Sequence, residues 1–169
     1  MHSLTTAQLI RKSKAIIVLI AGLFGVLVMI SNLTDYANNY EYVGHILSMD
    51  TTVGNERLMY RAVTSPIAHH RIYWMIITLE SIFTTCCLLG AYQMLRNLHA
   101  PHNAFHEAKK YAIIGLTTAL FVYYFCLQVI ANEWFEMDTS EQWNMIPWTK
   151  VATDFLLPAL IFVSIKNDH

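Results

Sequence analysis

The sequence predicts an all-α membrane protein, a four-helix transmembrane bundle that forms a single domain over residues 1–169. Apolar residues make up 55% of the chain and charged residues only 14%, whereas soluble domains average roughly 45–50% apolar and about 25% charged. The charged residues are also unevenly placed, so four long stretches carry very few of them. Each stretch approaches the ~20 apolar residues that a helix needs to cross a bilayer.

The first predicted span covers residues 15–33 and follows a basic segment that contains Arg11, Lys12 and Lys14. A basic segment before an apolar one is also typical of a cleaved secretory signal peptide. The apolar run here exceeds the ~7–15 residues of such a peptide, and no A-x-A cleavage motif follows it. We therefore expect an uncleaved anchor that remains as the first helix of the bundle.

The remaining spans are predicted at residues 72–95, 111–131 and 148–165. The apolar run of the last one is short, and it reaches spanning length only because Trp148 and the residues just before it extend it. Pro101 is expected to begin the third helix, because proline suits the first helical turn.

A 38-residue connection, residues 34–71, separates the first two spans, and a structureless loop of that length would be unusual. Side chains recur in it at the i, i+4, i+7 and i+11 spacing of one helix face, at Tyr36, Tyr40, Val43 and Leu47. Asp35 is placed to cap this helix. The segment 49–55 is then typical of a turn, and a second short helix is predicted from Asn55 to just before Ser65.

The distribution of lysine and arginine predicts that both termini are cytoplasmic. Seven of these residues fall on the side that holds the termini and four on the other, and cytoplasmic loops are enriched in positive charge. Eight of the twelve acidic residues fall on the opposite side. The first connection is therefore predicted to be a long, helical extracytoplasmic loop on an acidic face. The net charge of −1 gives no reason to expect nucleic acid as a partner.

Several polar residues fall inside or beside the predicted spans. Glu80 is the most unusual, because a carboxylate in hydrocarbon is costly and usually faces the bundle interior. At about 1.5 Å of rise per residue, Glu80, Asp154 and Gln128 all lie in the outer half of the membrane. Asn32 and Asp35 lie at the outer end of the first span. We expect these side chains to form a site for a proton, a cation or another ligand, and the alternative is a polar cluster that only fixes helix packing.

Histidines gather at both ends of the predicted bundle, without a recognised metal-binding spacing. On the outer side, His69 and His70, with His45 and nearby methionines, form a candidate copper site. On the inner side, His102 and His106 share a helix face but lack a third oriented ligand. Interfacial histidines without metal are the alternative. No histidine falls within a predicted span, so transmembrane haem is not expected and no cofactor is predicted.

Three stretches resemble a known family: "NLTDY" after the first span, "YVGHILSMDTT" in the outer loop, and "SPIAHHRIYWMIITLE" at the start of the second span. With the four-span layout, they are similar to an uncharacterised bacterial family of predicted small integral membrane proteins. The pattern of that family matches Asn32, Asp35, Tyr36, His45, Met49, Asp50, Thr51, Pro66 and Glu80. The resemblance implies a location in the bacterial inner membrane, and it implies no activity.

No catalytic motif such as GxSxG, HExxH or a P-loop occurs, so an enzyme is not the favoured interpretation. We expect a small accessory protein of a larger membrane complex, for example a respiratory or transport complex. Its partners would be the lipid bilayer and other membrane proteins or further copies of the chain. Contacts of the outer loop would involve His45, Asp50, Tyr36 and Tyr40. The alternatives are an oligomeric proton or cation transporter that uses Glu80 and Asp154, and an outer-face sensor of a metal or ligand.

Overall fold

The computed structural model describes residues 5–54 and 56–166. Within these residues the chain is all-helical, and four helices are long and apolar enough to cross a membrane. The prediction of an all-α, four-helix transmembrane bundle is confirmed, and the chain is a multi-pass integral membrane protein. In chain order the helices are α1 (Thr6–Thr34), α2 (Tyr36–Ser48), α3 (Pro66–Arg96), α4 (His102–Glu107), α5 (Lys110–Leu120) and α6 (Ile146–Ser164).

The third span consists of three consecutive pieces. A turn at Ala108 and Lys109 joins α4 to α5. From Phe121 to Trp134 the backbone is a π-helix, with hydrogen bonds from residue i to i+5, and we call this part the π segment. Pro101 occupies the N-cap position of α4, immediately before the first helical residue.

α2 is the helix predicted in the connection after the first span, and it packs against α3. Tyr36 and Tyr40 of α2 stack on the imidazole of His70 in α3, with ring centroids 5.9 and 4.4 Å apart. α2 is followed by Met49 at the C-cap position, whose φ of 53° is left-handed and turns the chain away from the helix axis. Tyr36 and Tyr40, whose spacing helped to predict α2, therefore lie on the face that packs against α3.

Two details of this connection differ from the prediction. Asp35 takes the N-cap position of α2, but its carboxylate makes no capping hydrogen bond and instead accepts one from Asn38 Nδ2 at 3.2 Å. The second short helix is a 3₁₀ helix, Glu56–Arg61. Its predicted first residue, Asn55, lies outside the described residues.

Small residues let the spans approach closely. α3 lies between α1 and α5 and packs most extensively against these two helices. A Cβ atom added at Gly90 of α3 would lie 2.7 Å from the Cα atom of Ala112 in α5. One added at Gly115 of α5 would lie 2.8 Å from the backbone nitrogen of Cys87 in α3. The small residues thus serve contacts inside the bundle, as in other membrane helix pairs.

The beginning of α1 and the end of α6 lie at the same end of the bundle, which we call the termini end. Basic side chains connect the helix ends there. The Nζ groups of Lys14 and Lys109 donate to the same carbonyl oxygen, that of Ile165, at 2.6 and 3.1 Å. Both lysines are at most 1% exposed. Arg11 donates to the carbonyl oxygen of Leu98 at 3.0 Å. Three spans and the connection after α3 are thereby fixed to one another.

The opposite end of the bundle is covered by residues 35–54, 56–65 and 135–145, and we call it the capped end. The imidazole of His45 in α2 stacks on the indole of Trp143, with centroids 4.4 Å apart. Tyr42 meets the same indole edge-on at 4.7 Å. The two connections therefore pack on each other and form a small apolar core of their own above the spans.

Candidate functional site

Glu80 lies inside the bundle, and two other helical segments place hydrogen-bond donors at its carboxylate. The residue is only 2% exposed. Asn32 of α1 donates from Nδ2 to Glu80 Oε2 at 2.5 Å. Tyr123 of the π segment donates from its hydroxyl to Oε1 at 3.2 Å. The structure thus brings together two of the residues that the sequence singled out, Glu80 and Asn32.

Helix periodicity turns Glu80 inward. Tyr73, Ile77, Glu80 and Thr84 follow one another at intervals of three or four residues along α3, and all four are buried. Tyr73 also fixes the position of Asn32, because its hydroxyl donates to the carbonyl oxygen of Asn32 at 2.9 Å. Two hydrogen bonds between α1 and α3 therefore determine where the Asn32 side chain lies.

A cavity of about 360 Å³ lies beside this network, between the spans and the capped end. Its lining combines Glu80 with the aromatic side chains of Tyr42, Tyr73 and Trp148 and with several asparagines. No lysine or arginine is among the described residues that line it. A buried acceptor, aromatic walls and a concave space are features of sites that bind small molecules.

Gln128 has a different partner from the one expected. Its side-chain amide donates to Oγ1 of Thr153 at 2.9 Å and so joins the π segment to α6. Thr153 in turn donates to the carbonyl oxygen of Lys150 at 3.0 Å. Gln128 is half-buried at this helix contact and is not part of the cavity lining.

Asp154 does not join Glu80 and faces outward from α6. The buried residues of α6 include Ala152 and Leu156, one helical turn apart. Asp154 lies midway between them in sequence, about 200° around the helix from each, and it is exposed. The rise per residue predicts a similar depth for the two carboxyls, but the rotation of α6 separates them. Asp35 is also exposed and does not line the cavity.

The residues assigned to outer-loop interactions all make contacts within the chain. His45 Nδ1 lies 2.8 Å from Asp50 Oδ2. The Tyr36 hydroxyl lies 2.8 Å from His70 Nδ1, and Tyr40 stacks on the same imidazole. These side chains hold the capped end in place.

The histidines proposed as metal ligands are dispersed among different neighbours. His69 is 7% exposed, and its Nε2 lies 2.5 Å from the carbonyl oxygen of Val63, whereas His70 is exposed on the adjacent face. His102 and His106 lie on α4 with ring centroids 6.4 Å apart. In the part of the chain that the structure describes, no three histidine, cysteine or acidic side chains are grouped closely enough to hold a metal ion.

Sequence reasoning missed four aromatic members of this site, Tyr42, Tyr73, Tyr123 and Trp148. Tyr73 precedes Glu80 by seven residues, so the spacing of a helix face was a usable signal for it. Tyr123 gave no such signal, because apolar residues occupy every face of the helix around it and no face stands out in the sequence. Its partner in the hydrogen bond is 43 residues away in sequence.

A family model described as "Predicted small integral membrane protein (DUF2165)" matches residues 10–166 of the chain. The matched region contains Glu80, Asp154 and the whole cavity lining. No curated protein and no solved structure matches the chain.

Proposed function

The chain belongs to the DUF2165 family of predicted small integral membrane proteins, and we propose that it is a non-catalytic accessory subunit of a larger membrane complex. The outward face of α6 is its docking surface. The occupant of that surface is a transmembrane helix of another protein that carries a lysine or an arginine at mid-membrane. The observation that supports the proposal is the exposed carboxylate of Asp154.

Asp154 lies near the middle of a membrane span. It follows the first residue of α6 by eight positions and precedes the last by ten, which at about 1.5 Å per residue is roughly 12 and 15 Å. A carboxylate at such a depth costs ~2.5–3.5 kcal/mol on insertion scales. The aspartate side chain has a single methylene group, so it cannot extend to the membrane surface as a lysine can.

The rest of the chain does not offset this cost. Among the described residues, none forms a hydrogen bond or an ion pair with the Asp154 carboxylate. Lys150 lies one helical turn earlier and is exposed, yet no ion pair joins the two side chains. A donor from outside the chain is therefore the straightforward source of compensation.

Asp154 lies in a stripe suited to contact with one more helix. Val151, Asp154, Pro158 and Ile161 recur at i, i+3, i+7 and i+10, which is one helix face, and all four are exposed. Val151 is 70% and Ile161 is 55% exposed. A helix that packs along this stripe would meet apolar side chains on either side of the carboxylate.

Charge favours a different protein over a second copy as the occupant. In all four described spans, the lysines and arginines lie outside the central third of the helix. Lys14 is the deepest of them in α1, and it is already buried at the termini end. A second copy would bring another Asp154 but no cation at this depth. A transporter that uses Glu80 and Asp154 together has less support, because Glu80 of α3 is buried inside the bundle whereas Asp154 of α6 is exposed.

A photo-crosslinking amino acid at Val151 tests the proposal in the full chain at native expression. The matched control position is Ile16 on the outward side of α1, which is 50% exposed. We expect position 151, but not position 16, to crosslink to one membrane protein whose span contains a lysine or an arginine. The Asp154→Asn variant should lose this crosslink, and Glu80→Gln should keep it.

Replacing the basic residue of the captured partner by leucine should have the same effect as Asp154→Asn. Crosslinks to lipid alone, or to a second copy of the chain, would contradict the proposal. A partner that Asp154→Asn retains in full would also contradict it, because the carboxylate would then contribute nothing to docking.

A further inference from the structure

We propose that the cavity beside Glu80 binds a small organic cation, a protonated amine or a quaternary ammonium compound. Glu80 is its counter-ion, and Tyr42, Tyr73 and Trp148 surround its apolar part. This site is distinct from the docking surface on α6, and the proposal does not depend on that surface.

The first argument is the charge of the site. The carboxylate of Glu80 accepts hydrogen bonds from two neutral donors, the amide of Asn32 and the hydroxyl of Tyr123. No described residue of the lining is a lysine or an arginine. A buried carboxylate is normally paired with a positive charge, and the cavity provides the room in which a ligand can supply that charge.

The second argument is the aromatic character of the walls. Tyr42, Tyr73 and Trp148 come from three different helices and line the same space as Glu80. Aromatic faces attract ammonium groups, and sites for quaternary ammonium ligands are commonly built from such faces. The indole of Trp148 is held in place by Phe24 and Tyr123, at ring-centroid distances of 6.2 and 5.5 Å.

Size separates this ligand class from simple metal ions. The volume of about 360 Å³ falls at the lower end of the ~300–1,000 Å³ typical of small-molecule sites. A hard metal ion such as Ca²⁺ would take about 6–8 oxygen ligands. Glu80 is the one carboxylate among the described lining residues. Asn39 and Asn144, which also line the space, offer hydrogen bonds to a polar substituent of an organic ligand.

The surroundings of the cavity also favour a cation. The connections at the capped end and the adjoining helix turns carry eight acidic residues and four lysines or arginines. A surplus of one charge sign near a cleft raises the local concentration of oppositely charged ligands. Cations that approach from the capped end would therefore be concentrated near the cavity.

Choline and its uncharged carbon isostere, 3,3-dimethylbutan-1-ol, are suitable probes, because they have the same shape and differ in charge. The full-length chain in an uncharged maltoside detergent would be titrated with each by isothermal calorimetry, followed by benzyltrimethylammonium as a larger cation. We expect saturable binding of the cations and at least about tenfold weaker binding of the alcohol. Glu80→Gln should abolish the preference for the cation.

Two further variants separate binding from folding. Asp154→Asn removes the other intramembrane carboxylate and should bind choline as the wild type does. Trp148→Leu removes no hydrogen-bond donor to Glu80, and it should weaken the binding of the cations by about tenfold, with little effect on the binding of the alcohol. Glu80→Gln should still fold, because whichever of the Tyr123 hydroxyl and the Asn32 amide faces the new NH₂ group can reverse and accept from it, while the other still donates to the remaining oxygen.

Each remaining outcome would overturn the proposal. Equal affinity for choline and the alcohol would indicate a site for neutral molecules. Unchanged choline binding in a folded Glu80→Gln protein would exclude Glu80 as the counter-ion. No saturable binding of either cation up to millimolar concentration would leave Glu80 as part of a structural polar cluster. None of these results bears on the crosslinks at Val151, so the two proposals fail independently.

Discussion

Tyr73 and Glu80, seven residues apart on one face of α3, hold the same asparagine at two points. The Tyr73 hydroxyl donates to the carbonyl oxygen of Asn32 at 2.9 Å, and the Glu80 carboxylate accepts from its side-chain amide at 2.5 Å. Asn32 lies in the last turn of α1, just before the chain enters α2. The pair therefore fixes both the end of the first span and the start of the helix that covers the cavity.

Replacing Tyr73 by phenylalanine should lower stability slightly and leave the fold intact. The ring remains buried, so the loss is one interhelical hydrogen bond, worth about 0.6 kcal/mol on average and roughly 1.7 kcal/mol at most in membrane proteins. Reversible unfolding in mixed detergent micelles measures this difference. Tyr92→Phe is the matched control on the same helix, because Tyr92 is 60% exposed. A loss as large in Tyr92→Phe would mean that the Asn32 contact is not the cause.

Gly90→Ala should destabilise the bundle more than a comparable change in α2. The added Cβ atom would lie 2.7 Å from the Cα atom of Ala112, and backbone cannot move aside without separating α3 from α5. Overpacking of this kind costs about 1–3 kcal/mol. Gly44→Ala is the control, because its Cβ atom would meet only His69 Nδ1, at 3.5 Å. Equal melting temperatures for the two variants would show that α3 and α5 tolerate a wider spacing.

The capped end should depend on its aromatic core and not on the contact between His45 and Asp50. Trp143 is 9% exposed and packs against both His45 and Tyr42, so Trp143→Ala should cost about 3–5 kcal/mol. The His45 and Asp50 side chains are 34% and 47% exposed, and Asp50→Asn should cost less than about 1 kcal/mol. Limited proteolysis of residues 49–65 provides a local measurement. Faster cleavage of the Asp50→Asn variant than of the Trp143→Ala variant would mean that the contact of Asp50 stabilises the capped end more than the Trp143 indole does.

The positive-inside rule predicts that the capped end is extracytoplasmic, and single cysteines can test it. Val53 is 71% exposed near the turn after α2, and Lys166 is exposed beyond α6. We expect a membrane-impermeant maleimide to label Val53→Cys in intact cells and Lys166→Cys only after the membrane is opened. The three native cysteines lie within spans, so the wild type serves as the blank. The reverse pattern of labelling would invert the topology.

The position of Glu80 along the bundle was predictable from the sequence, but the rotation of α6 was not. The rise per residue predicted that Glu80 of α3 lies at a level close to Asn32, at the end of α1. The two side chains do meet. The same argument placed Asp154 at that depth, yet its side chain points outward. In a soluble helix, polarity marks the outer face, whereas a membrane helix is apolar towards both lipid and core. Rotation is then set by close packing at residues such as Gly90 and Gly115, and a phase error of one residue turns a side chain by about 100°.

The shared acceptor at the termini end has a consequence for the order of biosynthesis. Lys14 is made early, but the carbonyl oxygen to which it donates belongs to Ile165, 151 residues later. Lys109 donates to the same carbonyl oxygen, which is made 56 residues after Lys109. Until α6 is inserted, this shared acceptor is missing from the termini end and water must take its place, because a buried ammonium group that loses a hydrogen bond is costly. Closure of the termini end is therefore a late event, completed only when the last span arrives.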